Sequence, residues 1–262
     1  MVKKRITYKE IVGIIGGIGP EATNYFTSLL VKLRMPYASK DQDHIPYLLF
    51  NNPQIPDRSK HILFNGESPV PELVSTGLLL KQIGATFLVI PCNTSHPFAE
   101  EIEKGIGIPV LNMITLTVKY IAENYGDKAT VGVLGTDGTV KSGIYQETFK
   151  KIAPEIRVLL PEAKSQIDVM KAIYDIKASS VNELNSQLLY NAAQKLIQRG
   201  ASIVILGCTE IPLALSEKAC NFIRIDPMEL LAEKVIEKTL KSKTQIYHEE
   251  PKISPRHIEH IV

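Results

Sequence analysis

Cysteine is scarce in this chain, with three residues among 262. An odd number with no CxxC pair does not make a disulfide framework, and in a reducing compartment the thiols stay free. No group of Cys, His and Asp has the spacing of zinc ligands, so we expect no metal ion. The role of the few cysteines has to follow from where they lie.

An excess of charge of one sign is also absent, because 30 Lys and Arg residues nearly balance 28 Asp and Glu residues. With a formal net charge of +2 and no long basic block, we expect no nucleic-acid partner. No apolar run reaches the ~18 residues of a membrane span. Glycines and a proline interrupt the stretch after the basic N-terminus, unlike a signal peptide. We therefore expect a cytoplasmic protein with no membrane partner.

Short apolar runs alternate with longer amphipathic segments, which is the pattern of parallel strands covered by helices on both faces. Strands are expected at 11–16, 46–51, 86–91, 108–112, 130–135, 156–160, 202–207 and 222–226. Helices are expected near 20–34, 69–83, 97–104, 115–125, 141–151, 166–175, 181–199 and 227–241. The sequence predicts an α/β fold.

The two halves of the chain resemble each other. The segment VGIIGGIGPEA from Val12 aligns with VGVLGTDGTVK from Val131, and GATFLVIPCNT from Gly84 aligns with GASIVILGCTE from Gly200. The offsets, 119 and 116, are nearly equal, so we expect two pseudo-symmetric domains, each a mainly parallel sheet flanked by helices. Ligands of open α/β sheets bind beyond the carboxyl ends of the strands. The active site is therefore expected in the interdomain cleft.

We expect the domains to divide the chain in three pieces. Residues 1–115 plus 227–247 form the N-terminal domain, 116–226 form the C-terminal domain, and 248–262 are a tail. The whole stretch from Thr244 has two prolines and little periodicity. It is expected to behave as a tail that is either packed on a neighbour or disordered, and a homodimer is left open.

Cys92 and Cys208 occupy equivalent positions of the two halves, each at a strand end and before small polar residues and a helix start. A single free cysteine often serves as a small buried hydrophobe, but a duplicated pair favours a chemical role. A helix N-terminus depresses a thiol pKa and favours the thiolate. Cys220 lacks this setting and is interpreted as packing.

The residues Asn93, Thr94 and Ser95 have two compatible interpretations. Their backbone N–H groups would converge near a helix start and bind a carboxylate, or Thr94 or Ser95 would cap the helix. Thr209, which follows Cys208, is open to the same pair of interpretations. In GGIGPEA the glycines have the spacing of a dinucleotide fingerprint, but the next strand runs into NNPQ without the required acid. We interpret it as a tight turn lining the cleft.

Two cations and two further groups complete the candidates. Arg58 could grip a carboxylate with two hydrogen bonds or be a solvated surface side chain. Lys177 could bind substrate or merely complement a helix dipole. His96 and Glu210 each follow a cysteine closely, and each could assist a thiol as an acid or base or cap a helix.

Several stretches together resemble the aspartate/glutamate racemase superfamily, and its aspartate racemase branch in particular. They are PCNTSH paired with GCTEIP, GIIGGIGPEAT, NPQIPDRS, LGTDGTVKSGIYQ and YDIKA, in the order of the family over roughly residues 11–241. The resemblance implies an isomerase that racemises an amino acid without pyridoxal phosphate or any other cofactor. Its substrate would be aspartate, with glutamate as a second candidate.

The resemblance also assigns roles to residues. The catalytic cysteines of the family fall on Cys92 and Cys208, and its substrate-binding arginine and lysine fall on Arg58 and Lys177. The residues after the first cysteine, 93–95, bind substrate, and Thr209 joins them. The opening GGIGPEA and the glutamate at 210 depart from the glutamate racemase branch, which has an Asp-Ser pair and a histidine there.

Three alternatives remain at this point. A broad-specificity or glutamate racemase of the same superfamily would use the same fold and cysteines, since fold alone does not fix a reaction. A non-catalytic protein that binds a small acid would need neither thiol. A thiol redox protein is disfavoured, because the two cysteines come from separate halves.

Overall fold

The computed structural model describes residues 2–126, 128–178, 180–216 and 220–249. The strands are β1 Val2–Tyr8, β2 Val12–Gly16, β3 Tyr47–Asn51, β4 Phe87–Val89, β5 Thr130–Gly135, β6 Arg157–Leu159, β7 Ile203–Gly207, β8 Ile223–Ile225 and β9 Lys243–Glu249. The α-helices are α1 Pro20–Lys32, α2 Arg58–Phe64, α3 Val70–Gln82, α4 Ala99–Ile106, α5 Met113–Tyr125, α6 Asp137–Lys141, α7 Ile144–Ile152, α8 Ala163–Lys177, α9 Glu183–Gln198, α10 Ile211–Ala214 and α11 Pro227–Lys241. Short 3₁₀ helices span Met35–Tyr37, Asp41–Asp43 and Asn93–Phe98.

Two parallel sheets form the centre of the molecule. The first has the order β3-β2-β4 and the second has the order β6-β5-β7-β8. The aligned segments of the sequence occupy equivalent places, because β2 and β5 are internal strands, and β4 and β7 are their neighbours. The predicted α/β fold with mainly parallel sheets is confirmed. Cys92 and Cys208 follow β4 and β7 at the carboxyl edges of the two sheets.

The internal strands are apolar throughout because both of their faces are covered. Every residue of β2 and β7 is buried, as parallel strands between helical layers require. One core cluster in the first half joins Val12 of β2, Phe26 of α1 and Leu231 of α11. A core cluster in the second half contains Leu134 of β5, Ile173 of α8 and Leu196 of α9.

Most predicted elements match the observed ones within two or three residues, and two differ for identifiable reasons. The strand expected at 108–112 is reduced to a single bridge between Leu88 and Val110, because Pro109 has no N–H to donate to a ladder. The helix expected at 141–151 begins later, at Ile144 as α7, because Gly143, whose φ of 67° is left-handed, separates it from the shorter α6, which was not expected.

The ends of the described chain pair with each other. Strand β1 lies antiparallel to β9, in a register that runs from Val2 opposite Glu249 to Tyr8 opposite Lys243. The expectation of a tail from Thr244 is therefore wrong for residues 244–249, and residues 250–262 lie outside the described residues. Pairing between the two ends of a chain leaves no local pattern in either segment, which is why the sequence missed it.

Helix α11 returns to the first half after the second sheet is complete. Its buried residues Met228, Leu231 and Val235 pack with β2 and α1, while α5 lies between the halves, with Met113 in one core cluster and Val118 in another. On this packing we propose the division of domains given above, which remains a prediction. No helix among the described residues is long and apolar enough to cross a membrane.

Candidate active site

Most of the predicted site residues line one narrow cavity between the two halves. Its free space is about 10 Å³, close to the volume that one water molecule requires. The lining residues are Ile18, Asp57, Arg58, Ser59, Cys92, Asn93, Thr94, Thr136, Lys177, Cys208, Thr209 and Glu210. The structure thus brings both duplicated cysteines and both candidate cations to one place.

Cys92 lies between the end of β4 and the start of the third 3₁₀ helix of the chain. It is the N-cap residue of the 3₁₀ helix Asn93–Phe98, with an extended backbone and 6% exposure. Neither Thr94 nor Ser95 caps this helix, so the capping interpretation of these two residues is wrong. The thiol therefore stands at the boundary between strand and helix, facing the second half.

His96 holds this turn in place. One ring nitrogen, Nδ1, lies 2.9 Å from the carbonyl oxygen of Cys92, and the other, Nε2, accepts a hydrogen bond from the N–H of Met113 at 3.1 Å. An acceptor at Nε2 requires the proton on Nδ1. Burial lowers the pKa of His96 to about 4. With both nitrogens occupied by backbone groups, His96 is a structural residue and does not assist a thiol.

The three residues after Cys92 have separate environments. The N–H groups of Asn93 and Thr94 have no hydrogen-bond partner among the residues that the structure describes, whereas the N–H of Ser95 donates to the carbonyl of Cys92 at 3.2 Å. Ser95 is fully buried and lies behind the cavity lining. This corrects the expectation that three amides converge on a carboxylate, because two remain for that role.

The hydroxyl of Thr94 belongs to a buried cluster that joins the halves. Its Oγ1 lies 3.0 Å from Oγ1 of Thr136 and 2.9 Å from Oγ1 of Thr139, and the latter two are 3.1 Å apart. Thr136 also caps α6 by accepting from the N–H of Thr139. The loop of the first cysteine is thereby fixed against α6 of the second half.

Cys208 has a carboxylate as its immediate partner. Its Sγ donates to Oε2 of Glu210 at 2.9 Å, and the hydroxyl of Thr209 donates to the same oxygen at 3.3 Å. Cys208 and Glu210 are 5% and 3% exposed. Glu210 makes no side-chain cap on α10, so of its two interpretations the structure supports contact with the thiol.

Burial, followed by the charge of Glu210, raises the pKa of Cys208 well above its usual value, while Lys177 opposes this. The expectation that a helix start lowers the pKa of this thiol is therefore wrong for Cys208. Helix α10 has four residues, too few for a substantial dipole, and a neighbouring carboxylate disfavours a second negative charge. In this environment Cys208 carries its proton.

Arg58 is the first residue of α2, a helix that the sequence did not predict. Asp57 caps the helix through the N–H of Lys60 at 2.8 Å. The Arg58 Nη1 donates to the carbonyls of Ile55 and Pro56 at 3.2 and 3.0 Å, and its buried Nε has no hydrogen-bond partner in the described part of the chain. The guanidinium is thus anchored by the loop before α2 and keeps hydrogen-bonding capacity at the cavity.

Lys177 ends α8 and approaches the cavity from the second half. The residue as a whole is exposed, yet its ammonium group lies close enough to Glu210 and the two cysteines to interact with them. Burial alone would lower its pKa, but Glu210 first and then the two cysteines outweigh this effect and raise it. Lys177 therefore stays a cation and balances the carboxylate of Glu210.

The GGIGPEA turn opens onto a second space outside the cavity. This outer space, of about 390 Å³, is lined by Gly17, Ile18, Gly19, Pro20 and Glu21 together with Pro53 and Ile55. It shares Ile18, Asp57, Arg58, Lys177 and Glu210 with the narrow cavity. These shared residues separate the inner cavity from the outer one, as expected of a turn that lines the cleft.

Sequence reasoning missed part of the lining. Asp57 and Ser59 flank Arg58 in the stretch PDRS, and Thr136 lies in LGTDGTVKSG. Both stretches carry the family resemblance, but no local pattern marks these three residues as part of the lining. Tyr145, whose hydroxyl donates to Oδ1 of Asn93 at 2.6 Å, was also missed. A contact between the halves could be inferred from the duplication, but its partners could not.

A larger cavity of about 460 Å³ lies beside β8 and is lined by Tyr120, Tyr125, Arg224, Asp226 and Glu233, among others. It contains neither duplicated cysteine. Among the described residues no group of three or more His, Cys, Asp and Glu side chains could hold a metal ion. The narrow cavity is therefore the candidate active site.

Fold and site together define a class of protein in which two similar α/β halves each supply a cysteine to one cleft. The model of the Asp/Glu/Hydantoin racemase family matches residues 15–235, and the chain belongs to this family. The resemblance to the aspartate/glutamate racemases is thereby confirmed.

Individual relatives differ in the substrate that their names give. The chain is similar to the broad specificity amino-acid racemase RacX of Bacillus subtilis, with 27% identity over 228 residues, 86% of this chain and 96% of the relative. The structure of Picrophilus torridus aspartate racemase has a TM-score of 0.77 and 32% identity, and the match covers 91% and 96% of the chains. A glutamate racemase of Streptococcus thermophilus is 30% identical over 141 residues, 52% of this chain and 47% of that protein.

Proposed function

We propose that the protein is a cofactor-independent amino-acid racemase that interconverts L- and D-aspartate, with Cys92 and Cys208 as the two proton-transfer groups. One observation carries the proposal: a cysteine from each half lines the same cavity. Inversion at an α-carbon requires removal of a proton from one face and delivery of a proton to the other. Two thiols from opposite halves suit this requirement, and binding alone needs neither.

The two cysteines enter proton transfer in different roles. Cys208, held as a thiol by burial and Glu210, serves as the acid, and Cys92 serves as the base. The sulfur of Cys92 takes the α-proton, the C–H electron pair stays on the α-carbon as a carbanion, and Cys208 gives its proton to the opposite face. Cys92 is then the thiol and Cys208 the thiolate, which is the arrangement for the reverse reaction.

The carbanion needs stabilisation from the protein, since no pyridoxal phosphate takes part in the proposal. The backbone N–H groups of Asn93, Thr94 and Thr209, which have no hydrogen-bond partner among the described residues, would stabilise charge that spreads into the α-carboxylate. Such preorganised donors in a site that excludes water are worth about 3 kcal/mol each in acyl-transfer enzymes. This part of the site favours the transition state over the bound substrate.

Arg58 and Lys177 support a substrate with a second carboxylate. Both cations line the inner and the outer cavity, and no described residue makes a hydrogen bond to Nε of Arg58. A dicarboxylate such as aspartate would use them to hold the side-chain carboxylate and position the α-carbon, an effect that can be worth several kcal/mol. The similarity to an aspartate racemase along nearly the whole chain also supports aspartate.

An inner space of about 10 Å³ does not admit an amino acid. We propose that the two halves move apart for substrate entry and close over it, which would exclude water during proton transfer. Ile18, Arg58 and Glu210, which lie between the outer and inner spaces, would have to separate.

A broad-specificity racemase is the second candidate, because the similarity to RacX covers 86% of this chain. A cytoplasmic location and a homodimer stay predictions from the sequence.

The test is incubation of purified protein with L-aspartate, L-glutamate and L-alanine in D₂O, without added cofactor and with a chelator present. The proposal expects loss of optical activity and α-deuterium incorporation fastest for aspartate. Equal rates for several amino acids would support the second candidate, and no exchange with any of them would refute racemisation.

A further inference from the structure

A tyrosine outside the cavity lining fixes the orientation of one of its polar residues. Tyr145 lies in α7 of the second half, is 1% exposed, and belongs to the core cluster with Phe149 and Ile205. Its hydroxyl reaches across the junction to Oδ1 of Asn93 at 2.6 Å. The carboxamide of Asn93 therefore has a partner on one side from the other half of the molecule.

The structure places the oxygen end of the Asn93 carboxamide toward Tyr145. The separation of 2.6 Å lies in the ordinary range of O–H···O hydrogen bonds. Burial, and then the charge of Asp226, raise the pKa of Tyr145, so its hydroxyl keeps the proton that it donates. The oxygen of Asn93 faces Tyr145, and the Nδ2 group points the other way.

That Nδ2 group is a donor without a partner. It is buried and makes no hydrogen bond among the described residues, although Asn93 is 2% exposed and lines the cavity. A buried donor left unsatisfied costs about 1–3 kcal/mol. A structure that retains such a donor at a cavity wall has it available for an acceptor that enters the cavity.

We infer that Tyr145 is a positioning residue, which orients Asn93 so that its Nδ2 donates to a carboxylate of the substrate. The inference rests on the proposed function and adds to it a specificity device that spans the two halves. Because the two partners come from different halves, the donor has its correct direction only when the halves are in contact. If the halves separate for substrate entry as proposed above, closure of the cleft would re-form the contact that orients the donor.

The first experiment measures binding of succinate by calorimetry and the kinetics of L-aspartate racemisation for Tyr145→Phe. Phenylalanine keeps the buried ring and removes only the hydroxyl. We expect succinate to bind about five- to tenfold more weakly, and KM for L-aspartate to rise by a similar factor with kcat within about twofold, in proportion to one misdirected hydrogen bond. Tyr190→Phe is the matched control, because it removes a Tyr–Asn hydrogen bond to Asn221 on the surface.

The second experiment separates positioning from a structural role by a double-mutant cycle with Asn93→Ala. If Tyr145 acts through Asn93, Tyr145→Phe should not weaken succinate binding further in the Asn93→Ala background. Asn93→Asp, which keeps the acceptor for Tyr145 but lacks the donor, should bind succinate at least as weakly as Asn93→Ala. Unchanged binding in Tyr145→Phe, or equal weakening in both backgrounds, would overturn the inference.

Succinate has no ammonium group and cannot be racemised, so its binding is independent of the reaction. Racemisation by the wild type with unchanged binding in Tyr145→Phe would refute the positioning role and leave the proposed function intact. No racemisation with binding that depends on Tyr145 would refute the proposed function and support the carboxylate site. A wild type that binds neither succinate nor aspartate would overturn the inference.

Discussion

Asp226 should make the protein less stable as the pH rises from 4 to 7, and Asp226→Asn should remove this effect. Asp226 is 2% exposed at the start of α11, where Oδ1 caps the helix through the N–H of Met228 and Oδ2 accepts from the hydroxyl of Tyr25, each at 2.9 Å. Burial, and then the charge of Glu229, raise its pKa from 3.8 to about 7, while the hydrogen bonds from Met228 and Tyr25 and the charge of Arg224 oppose this. Asparagine is an equally good cap.

The direction of the pH dependence follows from which state, folded or unfolded, releases the proton of Asp226 first. Between pH about 4 and 7 the unfolded chain has released the proton of Asp226 and the folded protein retains it, so the free energy of unfolding falls as the pH rises. At about 1.4 kcal/mol per pKa unit, the shift from 3.8 to about 7 amounts to about 4 kcal/mol by pH 8. Asp226→Asn should match the wild type near pH 4 and exceed its stability by up to this amount at pH 8.

His96 acts in the opposite direction over part of the same range. Its pKa, lowered to about 4 by burial, makes the protein lose stability as the pH falls from 6.5 to 4. In the wild type the two slopes offset each other. In Asp226→Asn the slope from His96 is left, so stability should rise more steeply with pH than in the wild type.

The assay is urea unfolding at five pH values between 4 and 8 for the wild type, Asp226→Asn and the exposed control Asp41→Asn. Subtracting the wild-type free energy of unfolding from that of Asp226→Asn at each pH removes the contribution of every titrating group that the two proteins share. If the difference stays flat from pH 4 to 8, or grows toward acid, the folded protein does not hold the proton of Asp226 in this range.

Two further predictions concern the carboxylate beside the second thiol and the turn at the cleft. Glu210→Gln removes a charge that raises the pKa of Cys208, so the alkaline limb of the racemisation profile should move to lower pH; an unmoved or higher limb argues against their coupling. Gly17→Ala should destabilise the protein by about 2–4 kcal/mol in urea unfolding, because φ is +90° and a Cβ would clash with the backbone of Asn52. Gly84 has a φ of +112° and open space around the position of a Cβ, so Gly84→Ala should lose only the stability that the strained φ costs. Equal losses of stability in the two variants would show that the clash with Asn52 contributes nothing.

The positions of the cysteines could be predicted because they follow from local pattern. The runs that become β4 and β7 are apolar, short and buried on all sides, and each leads directly to Cys92 or Cys208. Parallel sheets bring such strand ends to one edge. The internal duplication then predicted that both thiols would lie at one cleft, where both line the cavity.

What could not be predicted depends on contacts between distant segments. The direction of the pKa shift at Cys208 depends on how deeply the thiol is buried and on how the carboxylate of Glu210 turns toward it, and neither has a sequence signature. The pairing of Tyr145 with Asn93 joins residues 52 positions apart. The same reason applies to β1 and β9, whose pairing depends on where both chain ends are brought by the fold.

The two-thiol mechanism is decided by the racemisation of L-aspartate by Cys92→Ala, Cys208→Ala and Cys220→Ala, with succinate binding measured in parallel. Each turnover needs one proton removed and one returned, so loss of either cavity thiol should lower the rate by orders of magnitude while succinate still binds. Cys220→Ala should retain nearly the full rate, with at most a small loss of stability. If Cys92 or Cys208 can be replaced by alanine and most of the racemase rate survives, the two-thiol mechanism is wrong for this protein.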